Sequence, residues 1–576
     1  MTLHFKRMPE NPLLEVAALV VEFTSGGQII RAVDHLSFVM HGAETLALVG
    51  ESGSGKSVTA LSILRLLPAP PGRVAHGQVL LSRGEKSPAD LIRLPEREMR
   101  GIRGKEISMI FQEPMTSLNP VFSCGNQVAE ILEVHLRLSG SAARERVIQL
   151  FGEVMLPEPC AIFDAYPHQL SGGQKQRVMI AMAIACDPAV LIADEPTTAL
   201  DVTVQKGILE LLKRIQERRR MGILFITHDL GLVKGFADRV LVMYKGKGVE
   251  QGSVDQIFNR PVHPYTRGLI ACRAPLDVRL KYLPTIDEFM GQGEPISREV
   301  ITSQQREADH RKIYACKPVL KVERVSKEYT ARRGFFSRKR DGVFALRDIS
   351  LSVYPGETLG IVGESGCGKT TLARVMLELI PASAGRIFYG DTEITTLTFR
   401  EMKRLRKELQ IIFQDPYSSL NPRIPIGPAI MEPMQVHHLH GKTDGRKRKA
   451  IELLEKVGLD HTHFFRYPHE FSGGQRQRIC IARALAVEPR VIICDESVSA
   501  LDVSIQAQVL NLLNEMKREF GLTYIFISHD LSVVKYISDR IIVMHKGKIE
   551  EMGDADAVYA APKSEYTRLL LESIPR

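Results

Sequence analysis

The 576-residue chain has no long uninterrupted run of apolar residues. A helix that crosses a membrane needs about 20 of them, and the nearest candidate, residues 178–193, is broken by Asp187 and Pro188. Near the N-terminus, Glu15 and Glu22 interrupt the only apolar patch, so we expect no signal peptide. We therefore expect a cytosolic chain that does not itself span a bilayer.

Cysteines are few and scattered along the sequence. None of the eight belongs to a C-x-x-C pair, which is the spacing typical of zinc sites and redox-active disulfides. This pattern argues against a zinc-based or disulfide-based framework. It is typical of a protein in a reducing compartment.

Basic residues exceed acidic ones, and the formal net charge is +9. Some of them form short runs, such as RKR at 338–340 and GRKRK at 445–449. Such runs are usually solvated surface, but they also suit anionic lipid headgroups or nucleic acid. Charge alone does not separate these three alternatives.

The sequence repeats itself over most of its length. GESGSGKS at 50–57 returns as GESGCGKT at 363–370, and later landmarks return at offsets of 301 or 302 residues. Length alone predicts about three or four domains, but a period this long indicates two similar domains rather than a solenoid. We place the first domain at 1–274 and the second at 320–576. The polar segment 275–319 is then a linker with some local structure.

Each repeat predicts an α/β fold around a mostly parallel sheet. Short apolar runs typical of buried strands alternate with longer helical patterns, and each run ends in polar residues. In open α/β sheets, ligands bind at the carboxyl ends of the strands. The runs are TLALVG, VLIADE and ILFITH at 45–50, 190–195 and 223–228, with TLGIVG, VIICDE and YIFISH at 358–363, 491–496 and 524–529.

The first of these strands leads into the P-loop pattern G-x-x-x-x-G-K-[ST] in both repeats. Its glycines let backbone N–H groups close around phosphates at a helix N-terminus. The lysine is a point charge for the β- and γ-phosphates, and the hydroxyl reaches Mg²⁺. A chance glycine-rich turn is the alternative, but the preceding strand and the repetition argue against it. The defining residues are Gly50, Gly55, Lys56 and Ser57, and Gly363, Gly368, Lys369 and Thr370.

An acidic pair ends the second strand of each repeat: Asp194 with Glu195, and Asp495 with Glu496. The aspartate suits Mg²⁺ coordination, and the glutamate is placed to polarise an attacking water as a general base. An isolated acidic pair is more often a helix cap or a surface turn. Its occurrence after a P-loop, twice, favours the catalytic interpretation.

LSGGQ at 170–174 and FSGGQ at 471–475 complete a set of motifs by which the chain resembles the ATP-binding cassette (ABC) ATPases. The resemblance covers both halves, because P-loop, Q-loop glutamine, signature, acidic pair and switch histidine occur in the family's order in each. It implies two cassettes that bind ATP and Mg²⁺, each with a mostly parallel sheet, an antiparallel β subdomain and a helical signature subdomain. The Q-loop and switch residues are Gln112, Gln414, His228 and His529, and the D-loop aspartates are Asp201 and Asp502.

The resemblance also implies roles for individual residues. Catalytic roles fall on Glu195, Glu496, His228, His529, Gln112 and Gln414. Metal binding falls on Ser57, Gln112, Asp194, Thr370, Gln414 and Asp495. Nucleotide contacts fall on the P-loop residues Gly50, Ser52, Gly53, Gly55, Lys56, Ser57, Val58, Gly363, Ser365, Gly366, Gly368, Lys369, Thr370 and Thr371, and on Ser171, Gly172, Gly173, Gln174, Asp201, Ser472, Gly473, Gly474, Gln475 and Asp502. The cassettes would pair head to tail, with each signature motif on the ATP of the opposite P-loop.

The adenine-stacking aromatic of the family is matched in one cassette only. Tyr329, in VSKEY, falls where the family places a tyrosine, whereas Ser25 holds the corresponding place in the first cassette. Phe23 is a candidate substitute there, with a structural role in the core as the favoured alternative.

Within the ABC ATPases, four stretches resemble those of the dipeptide, oligopeptide and nickel importers. The fused arrangement resembles the glutathione and microcin-type peptide importers. Only Cys272 lies where many relatives have a cysteine-rich segment, so we predict no iron–sulfur cluster. The four stretches are FQEPMTSLNP at 111–120, FQDPYSSLNPR at 413–423, HPYTRGL at 263–269 and SEYTRLL at 564–570.

The resemblance implies a transport assembly. Two integral-membrane permeases and an extracytoplasmic solute-binding protein would join this chain, which would lie as a peripheral subunit on the cytoplasmic face of the bacterial inner membrane. No nucleic acid partner is expected. ATP hydrolysis would drive uptake of a peptide-like solute, such as glutathione or a di- or oligopeptide. The identity of the solute does not follow from this chain, since specificity lies in the binding protein and the permeases.

Two alternatives stay open at this point. Soluble tandem ABC ATPases act on the ribosome or on nucleic acid, but they join their cassettes with a long charged helix. The 275–319 segment, with Pro284, Gly291, Gly293 and Pro295, does not resemble one. The second alternative is an importer of nickel or another non-peptide solute. Fused sugar-import ATPases usually pair one intact and one degenerate cassette, whereas both are intact here.

Overall fold

The structure is a computed structural model. It describes residues 12–83, 86–112, 117–198, 200–292, 298–330, 342–499 and 501–574. The basic run at 338–340, residues 113–116 of the first Q-loop stretch, Gly293 and Pro295 lie outside these ranges. The described residues fall into two compact units. The first unit holds those up to 200 and 204–270, and the second holds 201–203 and those from 271 to 574.

The first unit carries ten strands and ten helices among its described residues. The strands are β1 Leu14–Ser25, β2 Gln28–Met40, β3 Thr45–Val49, β4 Gly72–Arg83, β5 Lys86–Asp90, β6 Ile107–Ile110, β7 Val190–Asp194, β8 Gly222–Thr227, β9 Arg239–Tyr244 and β10 Lys247–Ser253. The helices are α1 Lys56–Ile63, α2 Glu96–Ile102, α3 Cys124–Leu136, α4 Gly140–Glu153, α5 Pro159–Asp164, α6 Gly172–Ile184, α7 Val202–Arg219, α8 Leu230–Val233, α9 Val254–Asn259 and α10 Pro264–Ala271. A 3₁₀ turn lies at Pro167–Gln169.

The second unit repeats this order after two additional helices. The strands are β11 Leu320–Thr330, β12 Gly342–Val353, β13 Thr358–Val362, β14 Ala384–Tyr389, β15 Thr392–Glu393, β16 Leu409–Ile412, β17 Val491–Asp495, β18 Thr523–Ile527, β19 Arg540–His545 and β20 Lys548–Asp554. The helices are α11 Ile286–Phe289, α12 Ser303–Tyr314, α13 Lys369–Met376, α14 Phe399–Leu405, α15 Pro416–Ser419, α16 Ile426–Val436, α17 Thr443–Lys456, α18 Gly473–Leu485, α19 Val503–Phe520, α20 Leu531–Ile537, α21 Ala555–Ala560 and α22 Glu565–Glu572. Turns of 3₁₀ helix lie at Ile394–Thr396, His461–Phe465 and Pro468–Glu470.

The strands of each unit form one antiparallel and one mixed sheet. The antiparallel sheets have the orders β2-β1-β4-β5 and β12-β11-β14-β15, and the mixed sheets have the orders β10-β9-β3-β8-β7-β6 and β16-β17-β18-β13-β19-β20. In each mixed sheet only the edge strand β10 or β20 runs antiparallel to its neighbour. The predicted α/β fold, with a mostly parallel sheet and an antiparallel β subdomain, is confirmed in both units.

Parallel pairing brings the polar ends of four strands to one edge of the mixed sheet. In the first unit β3 pairs in parallel with β8 and β9, and β7 pairs in parallel with β6 and β8. All residues of β3, β7 and β8 are buried, because both faces of the sheet are covered. The residues that follow β3, β6, β7 and β8 therefore lie close together.

Each antiparallel sheet shares a hydrophobic core with the mixed sheet of its own unit. In the first unit, Leu14 and Val79 from the antiparallel sheet pack in one cluster with Leu46 and Val190 from the mixed sheet. The second unit has the equivalent cluster. The two sheets of a unit thus belong to one domain, and the shared core holds the antiparallel subdomain beside the P-loop.

The described part of 275–319 belongs to the second unit and is not regular throughout. It contains α11, α12 and an isolated antiparallel bridge between Leu280 and Val300. No residue of α12 is buried. The boundaries 1–274, 275–319 and 320–576 stay a prediction.

The described residues contain no helix with the length and apolarity that a membrane crossing requires. The longest helices among the described residues, α7 and α19, have 18 residues each. α7 carries charged side chains along its length, and α19 carries four of them within residues 515–519.

A bulge in the central strand of each antiparallel sheet requires glycine in the neighbouring strand. Ala18 in β1 and Arg324 in β11 have left-handed φ angles of 47° and 50°. Opposite them, Gly77 has a φ of +108° and Gly385 a φ of +94°. A Cβ atom on Gly77 would lie 2.7 Å from the Ala18 carbonyl oxygen, and one on Gly385 would lie 2.4 Å from that of Arg324.

We predict that Gly77→Ala and Gly385→Ala each destabilise their unit by about 2–4 kcal/mol, because strain and a backbone clash act together. Thermal unfolding followed by calorimetry measures this effect. Gly101→Ala is the matched control, since a Cβ atom on this exposed helical glycine meets nothing within 4 Å. Equal unfolding temperatures for Gly77→Ala and Gly101→Ala would contradict the prediction.

Candidate active site

The P-loop of each unit is a glycine-dependent turn between a buried strand and a helix. Gly55 and Gly368 cap α1 and α13 with left-handed φ angles of 101° and 109°. A Cβ atom at these positions would lie 2.4 Å from the Ala32 carbonyl oxygen and 2.5 Å from that of Ala345. Only glycine fits at these two positions. At a helix N-terminus the first backbone N–H groups have no partner within the helix and are available to an anion in the loop.

The P-loop lysines lie folded across their own loops. Lys56 Nζ donates to the carbonyl oxygens of Gly50 at 2.7 Å and Glu51 at 2.9 Å. Lys369 Nζ makes the same contacts with Gly363 and Glu364 at the same distances. Both side chains are buried, so each ammonium group is fixed at the centre of its loop. Of the other predicted loop residues, Ser52, Gly53, Ser365 and Gly366 are exposed, and Ser57, Val58, Thr370 and Thr371 are half-buried.

A hydroxyl and a carboxylate face each other at the foot of each loop. Ser57 Oγ donates to Asp194 Oδ1 at 3.1 Å, and Thr370 Oγ1 donates to Asp495 Oδ1 at 3.1 Å. Burial raises the pKa of Asp194 to about 6, although the Ser57 hydroxyl acts in the opposite direction. Burial likewise raises the pKa of Asp495. A nearby cation would favour the charged form of both aspartates.

This donor set suits Mg²⁺. Hydroxyl and carboxylate oxygens are hard ligands, and Mg²⁺ is usually bound by one or two carboxylates together with waters and substrate phosphates. Within the described ranges no group of three or more His, Cys, Asp or Glu residues is placed to hold a metal ion. The foot of the P-loop therefore fits a metal that arrives with phosphates rather than a closed protein cage.

Glu195 is held by three side chains from three different elements. His228 Nδ1 lies 2.9 Å from its Oε1, and Gln112 Nε2 and Thr198 Oγ1 donate to its Oε2 at 3.0 and 2.9 Å. Burial acts to raise the pKa of Glu195. The hydrogen bond and electrostatic interaction with His228, the Thr198 hydrogen bond and the nearby Lys56 together outweigh burial and lower the pKa to about 2. Its backbone has a left-handed φ of 47°, a strained conformation of the kind that is common at functional sites.

Glu496 has the same backbone conformation but looser partners. Its φ is 49°, and Gln414 Nε2 donates to its Oε2 at 2.8 Å. The His529 Nδ1 atom lies 3.6 Å from Oε2, and the hydroxyl of Ser499 lies 3.5 Å from that of Ser528. Burial acts to raise the pKa of Glu496, but pairing with His529 lowers it. The same pairing raises the pKa of His529 against the effect of burial.

The signature motifs form helix caps. Ser171 Oγ accepts from the Gln174 backbone at 3.3 Å, and Gln174 Oε1 accepts from the Ser171 backbone at 2.9 Å. Ser472 and Gln475 make the same reciprocal pair at the start of α18. The pattern S-x-x-Q is thus a capping box, which fixes the N-terminal turn of each signature helix. Gly172, Gly173, Gly473 and Gly474 occupy these first turns, Asp201 precedes α7, and Asp502 precedes α19.

The candidate adenine-stacking aromatic residues differ between the units. Tyr329 on β11 has 48% of its surface exposed, with the Lys327 ammonium 5.4 Å from its ring centroid. Phe23 is half-buried and packs against the core cluster of the first unit, as expected for a structural residue. The side chain of Ser25 lies outside the described residues.

Three contacts at the sites were not predicted from the sequence. Thr198 binds the glutamate of the first unit, as described above. Tyr265 and Tyr566, within HPYT and SEYT, accept hydrogen bonds from the Glu51 and Glu364 backbones at 3.0 and 3.4 Å. The 301-residue offset that relates Glu195 to Glu496 also relates Tyr265 to Tyr566. That shared register is the sequence signal from which the two tyrosine contacts with the P-loop backbone could have been predicted.

Two family models match the sequence. The ABC transporter model matches residues 33–198 and 346–499. The chain belongs to the ABC transporter family. The model of the C-terminal region of oligopeptide/dipeptide transporters matches residues 249–294 and 551–576, which contain the HPYT and SEYT stretches of the two cassettes.

Related proteins match almost the whole chain. The glutathione import ATP-binding protein GsiA of Salmonella choleraesuis (strain SC-B67) is 48% identical over 573 residues, 99% of this chain and 91% of that protein. The protein of the same name from Escherichia coli (strain K12) is 48% identical over 577 residues with the same coverage. A solved dimeric ATP-binding cassette with ADP and phosphate aligns with 41% of this chain and 98% of its own, at a TM-score of 0.37 and 26% identity.

The tandem cassettes therefore form an ABC ATPase of the oligopeptide and dipeptide importer group. The assignment made from the P-loops, the signatures and the HPYT-type stretches is confirmed. The chain binds and hydrolyses ATP, and the hydrolysis is coupled to transport.

We predict that Thr198→Val lowers the kcat of ATP hydrolysis. A hydrogen bond to a charged group contributes about 1.5–3 kcal/mol, so we expect a loss of about tenfold or more when the two sites hydrolyse ATP in alternation. The KM for ATP stays within about twofold, because the Thr198 hydroxyl donates to the glutamate of the site. Steady-state hydrolysis by the full chain measures both quantities.

Ser499→Ala is the control for this prediction. Its hydroxyl lies near Ser528 rather than Glu496, so its removal should change kcat by less than the Thr198 substitution does. Equal losses for the two variants would show that the Thr198 contact has no special role.

Proposed function

We propose that the chain is the ATPase subunit of an importer for glutathione or related peptides, and that it hydrolyses ATP at two composite sites. The observation that carries the proposal is a repeated arrangement at one sheet edge. In each cassette a buried lysine, a hydroxyl–aspartate pair and a glutamate near an imidazole and an amide lie together. The names of the relatives support glutathione as the solute.

The P-loop binds the phosphates. Its backbone N–H groups and the N-terminus of α1 or α13 offer donors and a positive dipole end, and Lys56 or Lys369 turns from loop carbonyls to the β- and γ-phosphates. Ser57 with Asp194, and Thr370 with Asp495, would hold Mg²⁺, with Gln112 and Gln414 as further ligands. The metal supplies charge neutralisation on the phosphates.

The glutamate removes a proton from the attacking water. The water oxygen bonds to the γ-phosphorus while the bond to the bridging oxygen breaks and ADP leaves with that electron pair. Glu195 or Glu496 takes the proton. The His228 hydrogen bond is a main cause of the low pKa of Glu195. When His228 turns to the γ-phosphate, that cause is removed and Glu195 becomes a stronger base.

Each signature motif closes the site of the other cassette. A P-loop covers one side of ATP and leaves the γ-phosphate open to water. The capped helices α6 and α18 begin with N–H groups and the hydroxyls of Ser171 and Ser472, which suit a phosphate. Head-to-tail pairing would place Ser472 with Lys56, and Ser171 with Lys369. ATP would then hold the cassettes together until hydrolysis releases them.

The proposed assembly contains two permeases and an extracytoplasmic binding protein, with this chain peripheral on the cytoplasmic face of the bacterial inner membrane. Membership of the oligopeptide importer group supports these partners. Closure of the cassettes around ATP would move the permeases between inward and outward states. The binding protein and the permeases would select the solute. Uptake of labelled glutathione, a dipeptide and Ni²⁺ by the reconstituted assembly tests the solute directly.

We predict that Glu195→Gln and Glu496→Gln each cut ATP hydrolysis by about a hundredfold or more, because a general base contributes that much, while ATP binding persists. Hydrolysis, equilibrium ATP binding and glutathione uptake are measured together. Glu217→Gln, the same change on an exposed part of α7, controls for the substitution itself. Unchanged turnover and uptake in Glu496→Gln would remove the claim of two working sites.

We also predict a specific pattern of coupling between P-loop and signature variants. Lys56→Ala with Ser472→Ala should be no worse than Lys56→Ala alone, since both residues serve one site. Lys56→Ala with Ser171→Ala should abolish residual turnover, since the pair disables both sites. The reverse pattern in hydrolysis rates would contradict head-to-tail pairing.

A further inference from the structure

The segment before the second cassette binds the far end of the helix that follows the switch histidine. We name its described residues, 277–292 and 298–314, the brace. Arg279 of the brace is largely buried, with 12% of its side chain exposed. Its guanidinium donates to the carbonyl oxygens of Lys535, Tyr536 and Ser538 at 2.6, 3.0 and 2.9 Å. These groups belong to the last turn of α20 and the residue after it.

This contact provides hydrogen-bond donors for carbonyl groups at the end of the helix. The last carbonyl groups of a helix have no partner within the helix, and a cation is favourable at that end. Arginine suits the place better than lysine, because its planar fork offers five donors in fixed directions. Arg279 also pairs with Asp556 at 3.2 Å, which compensates part of its burial.

A second arginine of the brace continues the same row of carbonyl groups. Arg306 on α12 donates to the Asp539 carbonyl oxygen at 2.8 Å and pairs with Asp554 at 2.9 Å and with Asp556. The Asp539 carboxylate accepts from the Thr358 backbone at 2.8 Å, at the start of the strand that leads to the P-loop. The brace therefore contacts Asp539, whose carboxylate is hydrogen-bonded to the start of that strand.

The brace also binds the helix that follows the D-loop aspartate. The Asn511 side chain on α19 accepts from the Leu283 backbone N–H and donates to the Leu283 carbonyl, both at 2.8 Å. Asn511 is buried, so this pair replaces water for both groups. α19 begins directly after Asp502, and α20 begins two residues after His529. The helices that follow Asp502 and His529 are thus both anchored by the brace.

The two units differ at the helix that the arginine caps. α20 has seven residues, whereas its counterpart α8, at an offset of 301 residues, has four. In α8 the residue after Val233, Lys234, is already extended. In α20 the helix continues to Ile537, where Arg279 binds the carbonyl groups. The capped helix is the longer one.

We propose that Arg279 is a positioning residue of the second nucleotide site. By capping α20 it holds the helix whose N-terminal side carries His529, and so sets the place of the imidazole beside Glu496. The inference rests on the proposed role of His529. Turnover at the second site would then depend on a segment outside the P-loop, Q-loop, signature and switch motifs.

The test compares amide hydrogen exchange and kinetics in the full chain. Arg279→Met should speed exchange over residues 528–537 by about tenfold, because the lost cap loosens α20. The equivalent segment 227–236 should stay unchanged and serves as an internal control. The kcat for ATP should fall about three- to tenfold with KM within about twofold. Arg279→Lys should recover part of both effects, and it keeps the test open if Arg279→Met fails to fold.

Arg311→Met is the matched control, because Arg311 lies on α12 with 80% of its side chain exposed. Unchanged exchange over 528–537, or unchanged kcat, in Arg279→Met would overturn the inference. Faster exchange in both segments would also overturn it, since that result marks general destabilisation. His529→Ala is measured in parallel. If it leaves kcat unchanged, the proposed role of His529 fails. If it lowers kcat while Arg279→Met does not, only the role of Arg279 fails.

Discussion

Buried carboxylates at the end of one central strand are the constraint on which each site depends. Asp194 with Glu195, and Asp495 with Glu496, lie in the interior or at its edge, where a charge is stable only with partners. The P-loop hydroxyl serves the aspartate, and the Q-loop amide and switch imidazole serve the glutamate. Parallel strands make this possible because they bring all these groups to one edge. In the proposed mechanism, groups that contact the carboxylates, such as the switch histidine, turn to ATP when it binds.

The two cassettes are similar in design and unequal in detail. Both oxygens of Glu195 are engaged within 3.0 Å by His228, Gln112 and Thr198. At Glu496 the imidazole is 3.6 Å away, and the neighbouring serine hydroxyl lies near another serine. The methyl group of threonine restricts the rotation of its hydroxyl, and serine has no such methyl group. The second site instead has its switch helix capped by Arg279. In the first cassette, side chains within the site hold the glutamate. In the second, a residue outside the site caps the helix that follows the switch histidine.

Much of this arrangement was predictable from the sequence. The repeat register located both P-loops, both acidic pairs and both histidines, and the buried strands placed them at one sheet edge. The capping box of the signature is also visible in the letters S-x-x-Q. The brace was not predictable in this way. α12 buries none of its residues and has no apolar periodicity, because it is held by ion pairs and backbone carbonyl groups. The Thr198 contact depends on a side-chain rotation that periodicity does not report.

The central claim is that one chain contains two working ATP sites, each closed by the signature of the other cassette. The most direct measurement is the number of ATP molecules trapped per chain by the Glu195→Gln, Glu496→Gln double variant, counted with radiolabelled ATP after rapid removal of free nucleotide. We expect two trapped ATP molecules per chain, and at most one when Ser472→Ala is added. A single ATP per chain in the double variant, or two that persist with Ser472→Ala, would contradict it.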